Sequence, residues 1–98
     1  MKLKWSTTAL KDLERIGDFI AEDNASAANR FVSRLWKRAK ALKKHPQMGR
    51  IVPETERVDI RELIEGNYRI VYQVDKTAVI VIAVTEGHRL LKLEKDHD

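Results

Sequence analysis

The sequence contains no cysteine and only four glycines among its 98 residues. Without a thiol the chain can form no disulfide, no zinc–thiolate site and no cysteine nucleophile. The four glycines build none of the phosphate-binding loops or nucleophile elbows that mark dinucleotide, nucleoside triphosphate or α/β-hydrolase chemistry. The sequence therefore predicts no cofactor.

Long hydrophobic runs are also missing. The longest, residues 78–84, has seven residues, whereas a membrane-spanning helix needs about 20. Charges interrupt residues 1–6 where a signal peptide needs an apolar stretch of roughly 7 to 15 residues. The three histidines, His45, His88 and His97, lack metal-ligand spacing. We expect a soluble cytoplasmic protein with no metal site and no membrane partner.

Negative charge is absent from one whole stretch of the chain. Residues 30–50 contain eight basic residues and no acidic one, whereas the other 77 residues carry 11 basic and 15 acidic side chains. The net charge of +4 thus conceals a block of +8 beside a remainder of −4. Such a block favours an anionic partner, either nucleic acid or an acidic protein segment, or it is a solvated helix face.

The first half of the chain is patterned for two helices. Ser6 or Thr7 can cap a helix that continues to about Glu22. A second apolar stripe with helical spacing ends at His45-Pro46, and the short polar link at 23–26 predicts an antiparallel helical hairpin. At 100° per residue, the side of the second helix opposite its apolar stripe carries Arg30, Arg34, Lys37, Lys40 and Lys44.

The second half is patterned for strands. Residues 58–64, 68–74 and 78–84 are rich in β-branched and aromatic side chains, and the links between them are three residues long. These features predict an antiparallel meander, with Lys2–Trp5 as an edge strand. We expect one α+β domain over residues 1–98, in which an N-terminal α-helical hairpin packs on an antiparallel β-sheet.

The strand register predicts a second, apolar face that the helices do not cover. Pairing Ile64 with Tyr68 and Val74 with Ala78 makes Arg61 and Arg69 diagonal neighbours, about 7 to 8 Å apart. This face collects Arg61, Leu63, Arg69, Val71, Gln73, Val79, Val81 and Ala83. Residues 86–98 are few for covering this face, so we expect a partner to bind there. The alternative is that the tail or the first strand covers the face.

The basic residues near the sheet admit one chemical interpretation. Arg61, Arg69 and Arg89 could bind a phosphodiester and stabilise the extra negative charge of its transition state. His88 is the nearby side chain whose ordinary pKa suits general acid or base catalysis. The alternative is that these arginines pair with carboxylates of the same chain or of a partner.

Several short motifs follow one another along the chain in a specific order. They are Trp5-Ser6 with Ala9 and Asp12-Leu13, then His45-Pro46-Gln47-Met48-Gly49-Arg50, Ile60-Arg61-Glu62-Leu63, Tyr68-Arg69-Ile70-Val71-Tyr72 and Gly87-His88-Arg89. Together they resemble the RelE/ParE toxin superfamily over nearly the whole chain. The resemblance implies a toxin of a type II toxin–antitoxin module, neutralised in a hetero-oligomer by a cognate protein antitoxin.

Two activities compete within that superfamily. RelE-like members cleave mRNA on the ribosome, and ParE-like members inhibit DNA gyrase without being nucleases. Arg69 and Arg89 match RelE-like site arginines, but the positions near Ile60 and Glu62 are not basic and no tyrosine follows Tyr72. The resemblance therefore favours a ParE-like gyrase inhibitor with no catalytic residues.

Two alternatives remain open beside the gyrase inhibitor. A RelE-like ribonuclease would use Arg61, Arg69, His88 and Arg89. The other is a non-toxic module that binds nucleic acid or protein through the basic helix. For the antitoxin, the residues expected to bind are Arg61, Leu63, Arg69, Val71, Val79, Val81 and Arg89.

Overall fold

The computed structural model describes residues 1–87, which form two helices on one side of a five-stranded sheet. Along the chain the elements are β1 (Lys2–Trp5), α1 (Thr7–Ala21), α2 (Ala25–Lys40), a 3-10 turn (Ala41–Lys43), β2 (Arg50–Ile51), β3 (Ile60–Glu65), β4 (Tyr68–Val74) and β5 (Ala78–Glu86). The predicted helical hairpin on a sheet is confirmed. The sheet is mixed, because β1 pairs with β5 in parallel while β3 to β5 form the expected antiparallel meander. The short strand β2, which was not predicted, pairs with β3 in antiparallel fashion.

Both helices begin at side-chain caps. The Ser6 hydroxyl accepts a hydrogen bond from the backbone N–H of Ala9 (3.0 Å), and the Asn24 side chain accepts one from Ala27 (2.9 Å). These bonds satisfy donors that the first turn of a helix leaves open. The buried apolar positions recur at helical spacing and are Ala9, Leu13 and Ile16 in α1, and Ala28, Leu35 and Ala39 in α2.

The β3–β4 turn has two residues rather than the predicted three. Glu65 pairs with Tyr68, and Gly66 takes a φ of +60° while Asn67 does not have a positive φ, as in a type II′ hairpin turn. The predicted Ile64–Tyr68 pairing is therefore wrong by one residue. Because side chains alternate along a strand, this slip moves every β3 side chain to the other face of the sheet.

The β4–β5 register is also displaced, but only in part. Val74 pairs with Val79 instead of Ala78, which places Val79 on the helix side of the sheet. The register then shifts at a bulge, so that Val71 lies opposite Ala83. An extra bulge residue reverses the alternation that follows it, and Ala83 consequently lies on the face where the sequence predicts it.

The second face of the sheet is covered by the chain's own loop between β2 and β3. Val52, in that loop, is fully buried against Ile60 and Val71, and Ala83 belongs to the same cluster. The prediction of an apolar face left open for a partner is wrong. The cause is the loop, residues 52–59, which folds back across the sheet instead of extending away from it.

Gly49 allows the chain to pass closely over the sheet. Its backbone N–H donates to the hydroxyl of the buried Tyr72 (2.9 Å). A Cβ at this position would lie 2.5 Å from the carbonyl oxygen of Glu62 and 2.6 Å from the Tyr72 hydroxyl. Burial raises the pKa of Tyr72, so the phenol stays neutral in this contact.

We expect Gly49→Ala to lower the free energy of unfolding by about 2 kcal/mol, because the added methyl must displace backbone or a buried ring. Urea denaturation measures the change. Gly17→Ala is the matched control: its Cβ would lie 3.3 Å from a Val32 methyl group, and alanine improves helix propensity by up to about 1 kcal/mol. Equal stabilities for the two variants would contradict the close packing at Gly49.

Candidate functional site

Arg69 projects from β4 into a set of hydrogen bonds on the loop-covered face of the sheet. Its Nη1 donates to Glu62 Oε1 (2.7 Å), its Nη2 to Glu54 Oε2 (2.5 Å) and its Nε to Thr85 Oγ1 (3.3 Å). The side chain is only 4% exposed. The hydrogen bond with Glu54, reinforced by Glu62 against the effect of burial, raises the pKa of Arg69.

Glu62 is the centre of this cluster. Its side chain has no exposed area, and its Oε2 accepts a second bond from Nε of Arg50 on β2 (2.6 Å). Burying an ionised carboxylate costs several kcal/mol unless cations and hydrogen bonds compensate it. Arg50 and Arg69 supply that compensation from the strands on either side, so the cluster ties β2, β3 and β4 together.

The structure does not bring Arg61 and Arg69 together, which corrects the predicted diagonal pair. Arg61 lies on the helix side of the sheet and donates from Nη1 to the carbonyl oxygens of Gly49 (2.8 Å) and Gln47 (3.4 Å). The register slip in β3 separates the two arginines. His88 and Arg89, the other members of the predicted ribonuclease set, lie outside the described residues.

Four apolar residues predicted to bind a partner are buried in the folded chain. Leu63, Val79 and Val81 belong to the core beneath the helices, and Val71 lies beneath the loop. The predicted placement of Leu63, Val79 and Val81 on the second face is wrong because of the register. Val71 is on the predicted face, but the cover over that face leaves it no exposed area.

Ser6 and Asp12, both in the first motif, bind backbone atoms at the β5 bulge. The Ser6 hydroxyl donates to the carbonyl oxygen of Ile82 (3.1 Å), and Oδ2 of the buried Asp12 accepts from the backbone N–H of Val84 (2.9 Å). Both groups satisfy backbone atoms that an interrupted ladder leaves unpaired. These motif residues thus hold α1 against β5.

The predicted basic face is present, but α2 ends at Lys40, so Lys44 follows the 3-10 turn instead of lying on the helix as predicted. Arg30, Arg34, Lys37, Lys40 and Lys44 are all exposed. Arg34 forms an ion pair with Glu65 and stacks over the Phe31 ring, 5.3 Å from its centroid. Arg38 also binds Glu65 (3.1 Å), so the two arginines at one edge of the basic face share one carboxylate. An anionic partner for the rest stays a prediction.

Sequence reasoning missed an exposed aromatic side chain beside the buried stripe of α1. Phe19 is 65% exposed. It borders a cleft of about 260 Å³ between α1 and the end of β5, whose apolar lining also includes Ile16, Tyr68 and Val84. A phenylalanine next to, but outside, the apolar stripe was the available signal. This cleft is the candidate surface for an apolar partner segment.

Metal and membrane sites find no support in residues 1–87. No three side chains among His, Asp and Glu in that range come together as metal ligands. Neither of the two helices in the same range is long and apolar enough to cross a membrane. The polar groups of the described site are instead carboxylates and guanidinium groups paired with each other.

We expect Glu62→Gln to lower the free energy of unfolding by about 3 kcal/mol or more, because it leaves buried positive charge without its central partner. Glu54→Gln is the control, since Glu54 is partly exposed and solvent screens its loss. The double variant Glu62→Gln/Arg69→Met should recover part of the stability. Urea denaturation of the three variants measures this, and equal losses for the two single variants would contradict the central role of Glu62.

Solved structures share this fold. The chromosomal ParDE TA system from P. aeruginosa matches with a TM-score of 0.74 at 22% identity, over 88% of this chain and 95% of that one. The toxin-antitoxin complex RelBE2 from Mycobacterium tuberculosis matches with a TM-score of 0.64 at 20% identity, over 87% and 95%. At these identities the likeness shows the fold alone.

Sequence comparison is more specific. The chain is 33% identical over 87 residues to toxin RelE2 of Caulobacter vibrioides, which covers 88% of this chain and 94% of the relative. The family described as ParE toxin of type II toxin-antitoxin system, parDE, matches residues 3–91. This match covers the helices and strands of the described residues, except Lys2 at the start of β1, and all the motifs noted above. The chain therefore belongs to the ParE toxin family of type II toxin–antitoxin systems.

Proposed function

We propose that this toxin acts as a ParE-like inhibitor of DNA gyrase and that a cognate protein antitoxin neutralises it. We favour gyrase over mRNA as the target because of the way the guanidinium group of Arg69 is paired. Its position matches the arginine that RelE-like toxins use on the strand, but here two carboxylates occupy its guanidinium group.

Cleavage of RNA requires cationic groups that face the scissile phosphate and a group that takes up the 2′ proton. A phosphate at Arg69 would have to displace the fully buried Glu62 or approach Glu54. It would add negative charge beside the two carboxylates that already bind Arg69. Like charges this close raise the energy of phosphate binding, which favours a toxin that does not cleave RNA.

A RelE-like ribonuclease is the second candidate. The 33% identity to a relative named toxin RelE2 supports it. It would need Arg61, which donates to the carbonyl of Gly49 on the other side of the sheet, or residues beyond the described range. The non-toxic binding module is the third reading, and induction of the gene without its neighbour separates it from both toxins, because only a toxin arrests growth.

We expect the purified chain to block DNA supercoiling by gyrase and to leave ribosome-bound mRNA intact. The two assays are run side by side with one preparation. Excess cognate antitoxin is the control and should restore supercoiling. Codon-positioned cleavage of mRNA with unaffected gyrase would overturn the proposal in favour of the RelE-like activity.

The antitoxin is proposed to bind the cleft beside Phe19. Phe19 is the most exposed aromatic side chain of residues 1–87, and the Arg15 and Glu86 side chains border the same cleft. An extended or helical antitoxin segment could insert an apolar side chain into this cleft. Burial of a large aromatic side chain at the centre of an interface supplies much of the binding energy.

We expect Phe19→Ser to weaken antitoxin binding by about tenfold or more, which corresponds to about 1.4 kcal/mol. Isothermal titration calorimetry measures the affinity. Val58→Ser is the matched control, because Val58 is 75% exposed but lies in the loop between β2 and β3. If the two substitutions weaken binding equally, or if Phe19→Ser has no effect, the antitoxin does not use this cleft.

A further inference from the structure

We propose that the outward side of α2 binds the phosphate backbone of duplex DNA. The surface consists of Arg30, Lys37, Lys40 and Lys44, which we call the lysine face. It is independent of the Arg69 cluster and of the Phe19 cleft. Its four cations are exposed, and no ion pair with residues 1–87 engages any of them.

The cations of the lysine face are regularly spaced because three of the four lie on the helix α2. At 1.5 Å per residue, the backbone from Arg30 to Lys40 spans about 15 Å, and the 3-10 turn Ala41–Lys43 carries the chain on to Lys44. The neighbouring cations Arg34 and Arg38 are held by Glu65 at one edge. The remaining charges thus form a row of separate positive groups along the helix.

Favourable interactions within α2 account for only some of the cations in this row. Cations in the last turn, Lys37 and Lys40 among them, interact favourably with the helix dipole. Arg30 lies in the second turn, where the dipole gives a cation no such benefit, and Lys44 lies beyond the helix. Residues 30–50 also contain no acidic residue, so the i,i+4 ion pairs that usually accompany surface lysines are missing.

The chemistry of the face fits phosphate better than protein. Protein interfaces are depleted in lysine and have an apolar core, whereas lysine is a common partner of nucleic-acid phosphates. No large apolar side chain lies within the lysine face. Trp36 is at its flank, where its ring packs on Trp5 with centroids 4.3 Å apart. An acidic protein segment is therefore the less favoured partner.

A duplex fits better than a single strand. Proteins that bind single strands stack the bases on aromatic side chains, and Trp36 is already engaged with Trp5. Point charges spaced along a helix suit the backbone of a double helix, which presents phosphates in regular rows. The choice of DNA over RNA rests on the proposed gyrase target, whose substrate is duplex DNA.

The test is a titration of a short duplex DNA with the purified full chain, followed by fluorescence anisotropy over a series of salt concentrations. Each phosphate contact contributes about 0.9 to the slope of log K against log salt. The slope is negative, and the variant Lys37→Gln/Lys40→Gln should make it shallower by about 1.8. The same variant should lower the affinity at low salt by about tenfold. The matched control Lys11→Gln/Lys76→Gln removes the same net charge at exposed sites elsewhere and should keep the original slope.

Three results would overturn the proposal. One is no binding of duplex DNA at low salt, and another is an equal change of slope in both variants, which would reflect net charge alone. The third is preferential, lysine-face-dependent binding of an acidic peptide or of RNA. The titration contains no gyrase, so failure to bind DNA and failure to inhibit gyrase are separate results.

Discussion

The buried carboxylate of Glu62 imposes the strongest constraint on this structure. It has no contact with solvent and is balanced by Arg69 and Arg50 from the two adjacent strands. Because an uncompensated charge at this depth would be very unfavourable, the short strand β2 must stay beside β3. The loop that follows β2 then crosses the sheet, and its Glu54 completes the set around Arg69. The buried carboxylate of Glu62 thereby helps to hold the loop between β2 and β3 over the second face of the sheet.

The residues that make the family recognisable are largely those that hold the fold together. Ser6 and Asp12 bind backbone atoms on either side of the β5 bulge, and Gly49 leaves room for the Tyr72 hydroxyl. Their roles are set by backbone geometry rather than by a ligand. Family membership can therefore be established from them, whereas they carry no information about the target.

The helices could be predicted well from the sequence because apolar spacing and caps are local signals. Strands β1, β3, β4 and β5 were also predicted close to their observed positions, whereas β2 was missed and the register was wrong. Register depends on the length of a turn, here the two residues Gly66 and Asn67, and on a bulge that no local pattern marks. The loop that covers the second face was not predicted, because it is mostly polar and contributes only one buried apolar side chain, Val52. The predicted proximity of Arg61 and Arg69 was wrong for the same reason, since placing the two arginines side by side required the correct register.

The parallel pairing of β1 with β5 joins the beginning of the described chain to its last strand. Strand pairs so far apart in sequence form late, because the loop between them must close first. During synthesis, Leu3 and Trp5 therefore have no strand to pack beside until β5 has been made. A chain that ends before β5 therefore lacks both the strand beside β1 and the core residues Val79, Val81 and Val84, so the topology couples the placement of the first strand to the synthesis of the fifth.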